Sequence, residues 1–198
     1  MPPLFAFTEL LAITVTTFNP PKKPLTILAN PRARRSLFTL ERLFLGSNLS
    51  TALMLNKDSI TAIKVMENCL RDANVLPSEV DAINMHGTST PLGDIAESNA
   101  IIKVFKEHAY AMNINSTKSM TGHLLGAAGA IESIASILAM KHGIVPPTIN
   151  HSTIDENINP ELNLTLNTPQ KRDIKVAMSN TFGFGGHNAC VAFKKIDE

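Results

Sequence analysis

The stretch Ser116-Thr-Lys-Ser-Met-Thr-Gly-His-Leu-Leu-Gly-Ala-Ala-Gly-Ala-Ile-Glu132 changes character twice within seventeen residues. It begins where a short apolar run, Ile114 to Ser116, ends, and that run has the length of a buried strand. It passes through a Ser/Thr-rich turn that carries Lys118 and His123, then enters an Ala/Gly-rich segment that stays apolar as far as Met140. Gly143 lies just past the last apolar residue and stops a helix there. The spacing therefore predicts strand, polar loop and helix in succession. Ala and Gly early in the helix let a neighbouring backbone approach closely.

The same grammar recurs upstream. Val80 to Met85 reads as a short buried strand that ends at His86, and the loop His86-Gly-Thr-Ser-Thr-Pro-Leu-Gly-Asp94 follows. Asp94 is placed to cap a second helix with apolar positions Ile95, Ile101, Ile102 and Phe105. Before these, Ile60, Ile63, Met66, Leu70 and Ala73 recur at helical spacing, with Asp58 or Ser59 as the cap, and Pro77 opens a turn. After them, Pro146 and Pro147 end regular structure, and residues 150–172 read as a long surface loop. Ile174 to Ser179 and Ala189 to Lys195 read as two strands joined by Asn180-Thr-Phe-Gly-Phe-Gly-Gly-His-Asn188. Strands alternating with helices give an α/β class.

Residues 1–57 differ from the rest and are expected to form an atypical leader, poorly ordered or divergent, ahead of a domain spanning 58–198. Prolines cluster at Pro20, Pro21, Pro24 and Pro31, and a basic run follows at Arg32, Arg34 and Arg35. This segment carries a net +5, against −4 for the remainder, so the chain totals +1 and offers no electrostatic case for nucleic acid. The apolar stretch Leu4 to Phe18 is broken by Glu9 and has no basic segment before it, unlike a secretory signal. No stretch reaches membrane-spanning length, so no membrane partner is expected. Cys69 and Cys190 are too few for a disulfide framework, and a reduced, cytoplasmic setting is expected.

The chemistry resides in three polar loops on a rigid frame, where sites commonly sit. Two neutral imidazoles, His86 and His123, aimed at one oxygen would stabilise developing negative charge. Thr88 and Thr90 either hydrogen-bond an extended polar ligand arm or cap their own loop. Lys118 and Glu132 either pair and orient His123 or are solvated surface charges. In the turn, Gly185 and its glycine neighbours permit positive φ and close backbone approach, and a backbone N–H there can serve an oxyanion. Phe182 or Phe184 can gate an acyl pocket, or both can be core residues of a tight hairpin. His108, His142, His151 and His187 are read as ordinary hydrogen-bonded residues. There is no HExxH and no Cys/His spacing of a zinc cluster, so no metal is expected.

From about Ile60 to Lys195 these blocks resemble the β-ketoacyl-[acyl-carrier-protein] synthase family, most closely its type II enzymes. The resemblance implies a thiolase-like fold of which only the C-terminal half is present. It implies a decarboxylating Claisen condensation, without cofactor, in which an acyl thioester on a cysteine is attacked by the enolate of malonyl carrier protein. By motif, His86 and His123 match the two active-site histidines, Lys118 the lysine of the second block, and Glu132 its acidic partner. Phe184 matches the gating phenylalanine. The implied partners are acyl carrier protein with pantetheine-linked groups, and a second copy or a full-length synthase. The nucleophile is missing: Cys69 falls in a predicted helix and Cys190 in a predicted strand, and both read as small buried residues. His187 stands where the resemblance leads one to look for Thr. A truncated or rearranged gene product, inactive alone, is therefore expected. The alternative is a non-catalytic partner subunit of a full-length synthase.

Overall fold

The computed structural model describes residues 59–183 and 187–195, together with the backbone of 12–17 and 25–28. Two of its strands come from the N-terminal segment, where none was expected: β1 (Ala12–Thr17) and β2 (Leu25–Leu28). The remaining elements are α1 (Ile60–Ala73), β3 (Ala82–Asn84), α2 (Gly93–Phe105), β4 (Asn113–Asn115), α3 (Lys118–Thr121), α4 (Ala128–His142), β5 (Ile144–Val145), β6 (Gln170–Lys171), β7 (Val176–Gly183) and β8 (His187–Lys194). Six strands form one mixed sheet in the order β2-β1-β8-β7-β3-β4. β7, β3 and β4 run parallel, while β7–β8, β8–β1 and β1–β2 are antiparallel.

Alternation along each strand divides the interior into two cores, because successive side chains point to opposite faces. Ile83, Met178, Cys190 and Ala192 face α1 and α2, whose Val65, Met66, Cys69 and Ile101 are fully buried against them. Ala82, Ala177 and Phe193 face the other way, toward Ala139 and Met140 of α4. β3 and β4 are buried along their whole length, as parallel strands covered on both faces must be.

Two capping expectations, at Ser59 and Asp94, are corrected, and the other candidate, Asp58, lies outside the described residues. Ser59 precedes α1 but does not cap it: its hydroxyl donates to the Ala96 carbonyl of α2 at 2.6 Å, tying two helices together. Asp94 lies in the first turn of α2, but its carboxylate accepts from Ser89 N–H, at 3.2 Å to each oxygen. It folds back onto the loop that precedes the helix. The surface loop expected at 150–172 is also anchored. Leu162 and Thr165 are buried, Thr148 bridges to Leu166, and β6 pairs with β5. Asn113 Nδ2 donates to Thr165 Oγ1 at 3.0 Å and to Gln170 Oε1 at 2.7 Å.

Candidate active site

Because β7, β3 and β4 are adjacent and parallel, their C-terminal ends share one edge of the sheet. Crevices outside the carboxyl ends of strands are where open α/β sheets bind ligands. His86 lies two residues beyond β3, Lys118 three beyond β4, and Phe182 at the end of β7. The topology thus carries all three sequence blocks to one place.

The imidazoles of His86 and His123 meet there, ring centroids 5.4 Å apart and nearly perpendicular. The Phe182 ring lies 5.7 Å from His86. Leu125 N–H donates to His123 Nδ1 at 3.2 Å, so a neutral His123 carries its proton on Nε2 and presents a donor. His86 is half-buried, and burial, with the charges of Lys118 and His123 adding to it, lowers its pKa to about 4. It is therefore neutral at pH 7, and its Nδ1 is buried without a hydrogen-bond partner among the described residues.

Lys118 and Glu132 form a buried ion pair between α3 and α4, the lysine 7% and the glutamate 1% exposed. The reading of both as solvated surface charges is thereby overturned. Burial holds the Glu132 carboxyl above its ordinary range even with Lys118 beside it. The hydrogen bond that orients His123 comes from Leu125, so the ion pair acts on the histidines through its charge and by fixing the α3–α4 corner.

The frame beneath the loops is built from reciprocal hydrogen bonds. Asn84 Nδ2 donates to Thr117 Oγ1 at 2.9 Å, and Thr117 N–H returns to Asn84 Oδ1 at 3.1 Å. Ser116 Oγ donates to the Gly87 carbonyl at 2.9 Å. Gly87 has φ +34°, and a Cβ there would stand 2.7 Å from Ser116 Cβ, so only glycine fits. Thr88 and Thr90 bring their hydroxyls to 3.4 Å of each other in the exposed part of the loop. Phe184 and Gly185 lie outside the described residues. His187 is exposed at the start of β8, opposite Gly183.

Sequence reading missed Glu97, fully enclosed behind the His86 loop. Its carboxylate accepts from His86 N–H at 3.0 Å, Gly87 N–H at 3.1 Å and Asn180 Nδ2 at 3.0 Å. Burial outweighs these bonds and raises its pKa to about 7. The signal was present in the chain: Glu97 stands four residues before Ile101 and eight before Phe105, on the apolar face of α2.

Both cysteines are fully buried, with Cys69 on α1 and Cys190 on β8, and burial pushes the Cys190 thiol well above its ordinary pKa. Both thiols are closed off from the site by the surrounding core. Among the described residues, no three His, Cys, Asp or Glu side chains gather in a way that could hold a metal ion. No helix among them is long and apolar enough to cross a membrane.

Comparison with known proteins bears on this arrangement. Residues 45–152 match the family described as beta-ketoacyl synthase, C-terminal domain. A 3-oxoacyl-[acyl-carrier-protein] synthase 2 of Coxiella burnetii is 48% identical over 131 residues, which are 66% of this chain and 31% of that protein. Among solved structures, a type II polyketide ketosynthase in complex with its acyl carrier protein superposes with a TM-score of 0.70 at 38% identity, covering 75% of this chain and 37% of that one. A β-ketoacyl synthase from Burkholderia phymatum superposes with a TM-score of 0.68 at 35% identity, covering 76% and 36%. The α/β, thiolase-like class expected from the sequence is the fold of these neighbours. The chain spans about a third of the length of the curated relatives it matches.

Proposed function

Because this chain belongs to the β-ketoacyl synthase family through its C-terminal domain, we propose that residues 58–198 supply the two-histidine side of a condensing site. The observation that carries this reading is the convergence of two imidazoles 5.4 Å apart, one held neutral by burial and the other accepting at Nδ1 from Leu125 N–H. Neutral imidazole donors stabilise the enolate that forms when a malonyl thioester loses carbon dioxide. Lys118 serves through its charge, which helps keep His86 unprotonated, and Glu132 keeps that lysine in place. Phe182 forms one wall beside His86, and Thr88 and Thr90 offer exposed hydroxyls along the approach for a pantetheine arm. Phe184 and Gly185 are assigned to the gate and oxyanion turn on motif alone. The substrates in this reading are acyl and malonyl groups on acyl carrier protein.

The step this chain does not supply is covalent acyl storage. That step needs a thiolate, and both thiols are enclosed in the core. Alone, the chain is inactive in condensation. Purified protein incubated with acyl- and malonyl-carrier protein is expected to give no β-ketoacyl product, and steady turnover would refute this.

A second reading, a non-catalytic partner of a full-length synthase, draws on a specific surface. Met120, Leu124, Leu125, Ile131, Ile134 and Leu138 are exposed along α3, α4 and the turn between them, Leu125 by 74%. From Ser119 to Met140 the only charged residue is Glu132, which is buried. Apolar faces of this kind mark contact surfaces. A stable complex with a full-length synthase on size exclusion favours this reading, and its absence removes it.

A further inference from the structure

We infer that the cleft between the C-terminal end of α4, strand β6 and the end of β8 binds a small molecule carrying a diphosphate group. The cleft measures about 500 Å³, inside the range of roughly 300–1,000 Å³ in which small-molecule sites fall. Four cations, Lys141, Lys171, Arg172 and Lys195, line it against one carboxylate, Asp173. That balance runs against the domain around it, because residues 58–198 carry a net −4. The surplus of three positive charges suits the roughly three negative charges of a nucleoside diphosphate near pH 7. The cleft also lies far from the paired histidines. β7 starts three residues after Asp173 and runs eight residues to Gly183, so about 25 Å of strand, at roughly 3.3 Å per residue, separates the two places.

The cations are held in ways that leave them able to take a ligand. Arg172 N–H donates to the Gly143 carbonyl at 3.0 Å and ties β6 to the end of α4. Its guanidinium is fixed from behind: Nη1 donates to the Ala111 carbonyl at 2.7 Å and to Asn113 Oδ1 at 3.2 Å, and Nη2 pairs with Asp81 Oδ1 at 3.4 Å. Asp81 is itself anchored, its Oδ2 accepting from Lys175 N–H at 2.8 Å and Val176 N–H at 3.1 Å. A guanidinium has five N–H donors, so two remain unused among the described residues, on a group already held in place. Lys171 is exposed, with no ion-pair or hydrogen-bond partner among the described residues. Lys195 Nζ meets Asp173 Oδ1 at 3.1 Å in an exposed pair, and pairs of this kind are weak enough for the lysine to exchange its partner for a ligand anion. A fixed arginine fork flanked by movable lysines is the donor set that phosphate groups take.

The test titrates the full ¹⁵N-labelled chain with ADP and, separately, with pyrophosphate at physiological salt. Saturable shifts should centre on the Gly143, Arg172 and Asp173 amides and leave the His86 and Gly87 amides in place. Lys171→Glu should weaken binding by about tenfold or more, because a cation is replaced by an anion in contact with the ligand. Asp173→Asn removes the one carboxylate and releases Lys195, so it should tighten binding; the opposite sign keeps the test open if one variant does not fold. Lys64→Glu, on the exposed side of α1, should leave the affinity unchanged. Pyrophosphate binding as tightly as ADP assigns recognition to the phosphates alone, and tighter ADP adds the nucleoside body; either result supports the site. No saturation by about 1 mM, equal weakening by Lys64→Glu and Lys171→Glu, shifts centred on the His86 loop, or tighter binding of an oligoglutamate peptide than of pyrophosphate would each overturn the inference.

Discussion

Replacing Glu132 by Gln tests the buried ion pair beside the histidines. The Lys118 and Glu132 side chains are only 4% and 2% exposed, so neither charge has water to fall back on. Charges in contact attract by roughly 4–5 kcal/mol at an effective dielectric near 20, and burial removes several kcal/mol of hydration from each ion. The intact pair is close to break-even, but an ammonium stranded by removal of its partner is not, and such a loss costs about 3–5 kcal/mol. Gln keeps the volume of Glu, so the charge is isolated as the cause. Against a total stability of about 5–15 kcal/mol this is a large fraction. Urea unfolding at pH 8 should show a lower midpoint with an unchanged slope, and thermal melting should fall by roughly 10 °C. Lys118→Met combined with Glu132→Gln removes the stranded charge and should recover at least about 2 kcal/mol of the loss. Lys118→Met should also raise the His86 midpoint above about 4, while burial, the larger cause of the lowering, keeps it below 6.5. A Glu132→Gln variant within about 1 kcal/mol of the parent, or a double variant as unstable as the sum of the singles, would refute the reasoning.

Further outcomes follow from the same geometry. Gly87→Ala meets both the +34° φ and the 2.7 Å approach to Ser116, and should cost about 1–3 kcal/mol in urea unfolding while moving the His86 titration. His86, with its folded pKa lowered from 6.5 to about 4, lends stability that is present above pH 6.5 and drains away as pH falls through 4. Glu97, with its folded pKa raised from 4.5 to about 7, has the opposite sign: its contribution is full below pH 4.5 and is lost as pH rises through 7, roughly 3 kcal/mol in all. The two oppose each other between pH 4.5 and 6.5, so His86→Gln should turn a shallow pH profile of unfolding free energy into a steady decline across that interval. Ile134→Lys with Leu138→Lys adds charge to the exposed apolar face and should lower self-association by light scattering, with less than about 0.5 kcal/mol change in stability.

The chain announced its loops more clearly than its packing. His86 and His123 were legible because each follows a short apolar run that can only be a strand covered on both faces, and adjacent parallel strands deliver such loops to one edge. The helix ending at Gly143 was legible because glycine there takes the left-handed conformation, φ 63°. Glu97 was not, because helical periodicity weighs apolar positions and passes over a carboxylate placed among them. Asn180 escaped for the same reason, a polar side chain at a fully buried strand position whose partner lies 83 residues away. Strands β7 and β8 run further into the Phe-Gly turn than expected, to Gly183 and from His187, because pairing extends to Gly183↔His187. The strands at Ala12–Thr17 and Leu25–Leu28 were obscured by the prolines and basic residues around them, although Ile-Thr-Val-Thr-Thr has the β-branched content of a strand. β1 takes its place in the sheet by pairing with β8, a contact of long sequence separation that no local pattern encodes, and β2 follows by pairing with β1.

The most direct test of the account is to graft residues 59–195 in place of the matching segment of the Coxiella burnetii 3-oxoacyl-[acyl-carrier-protein] synthase 2 and to measure decarboxylation of malonyl carrier protein. The account predicts an active chimera in which His86→Ala and His123→Ala each lower the rate by about 100-fold or more, as loss of an oxyanion donor does. A chimera that decarboxylates equally well without either imidazole would contradict it.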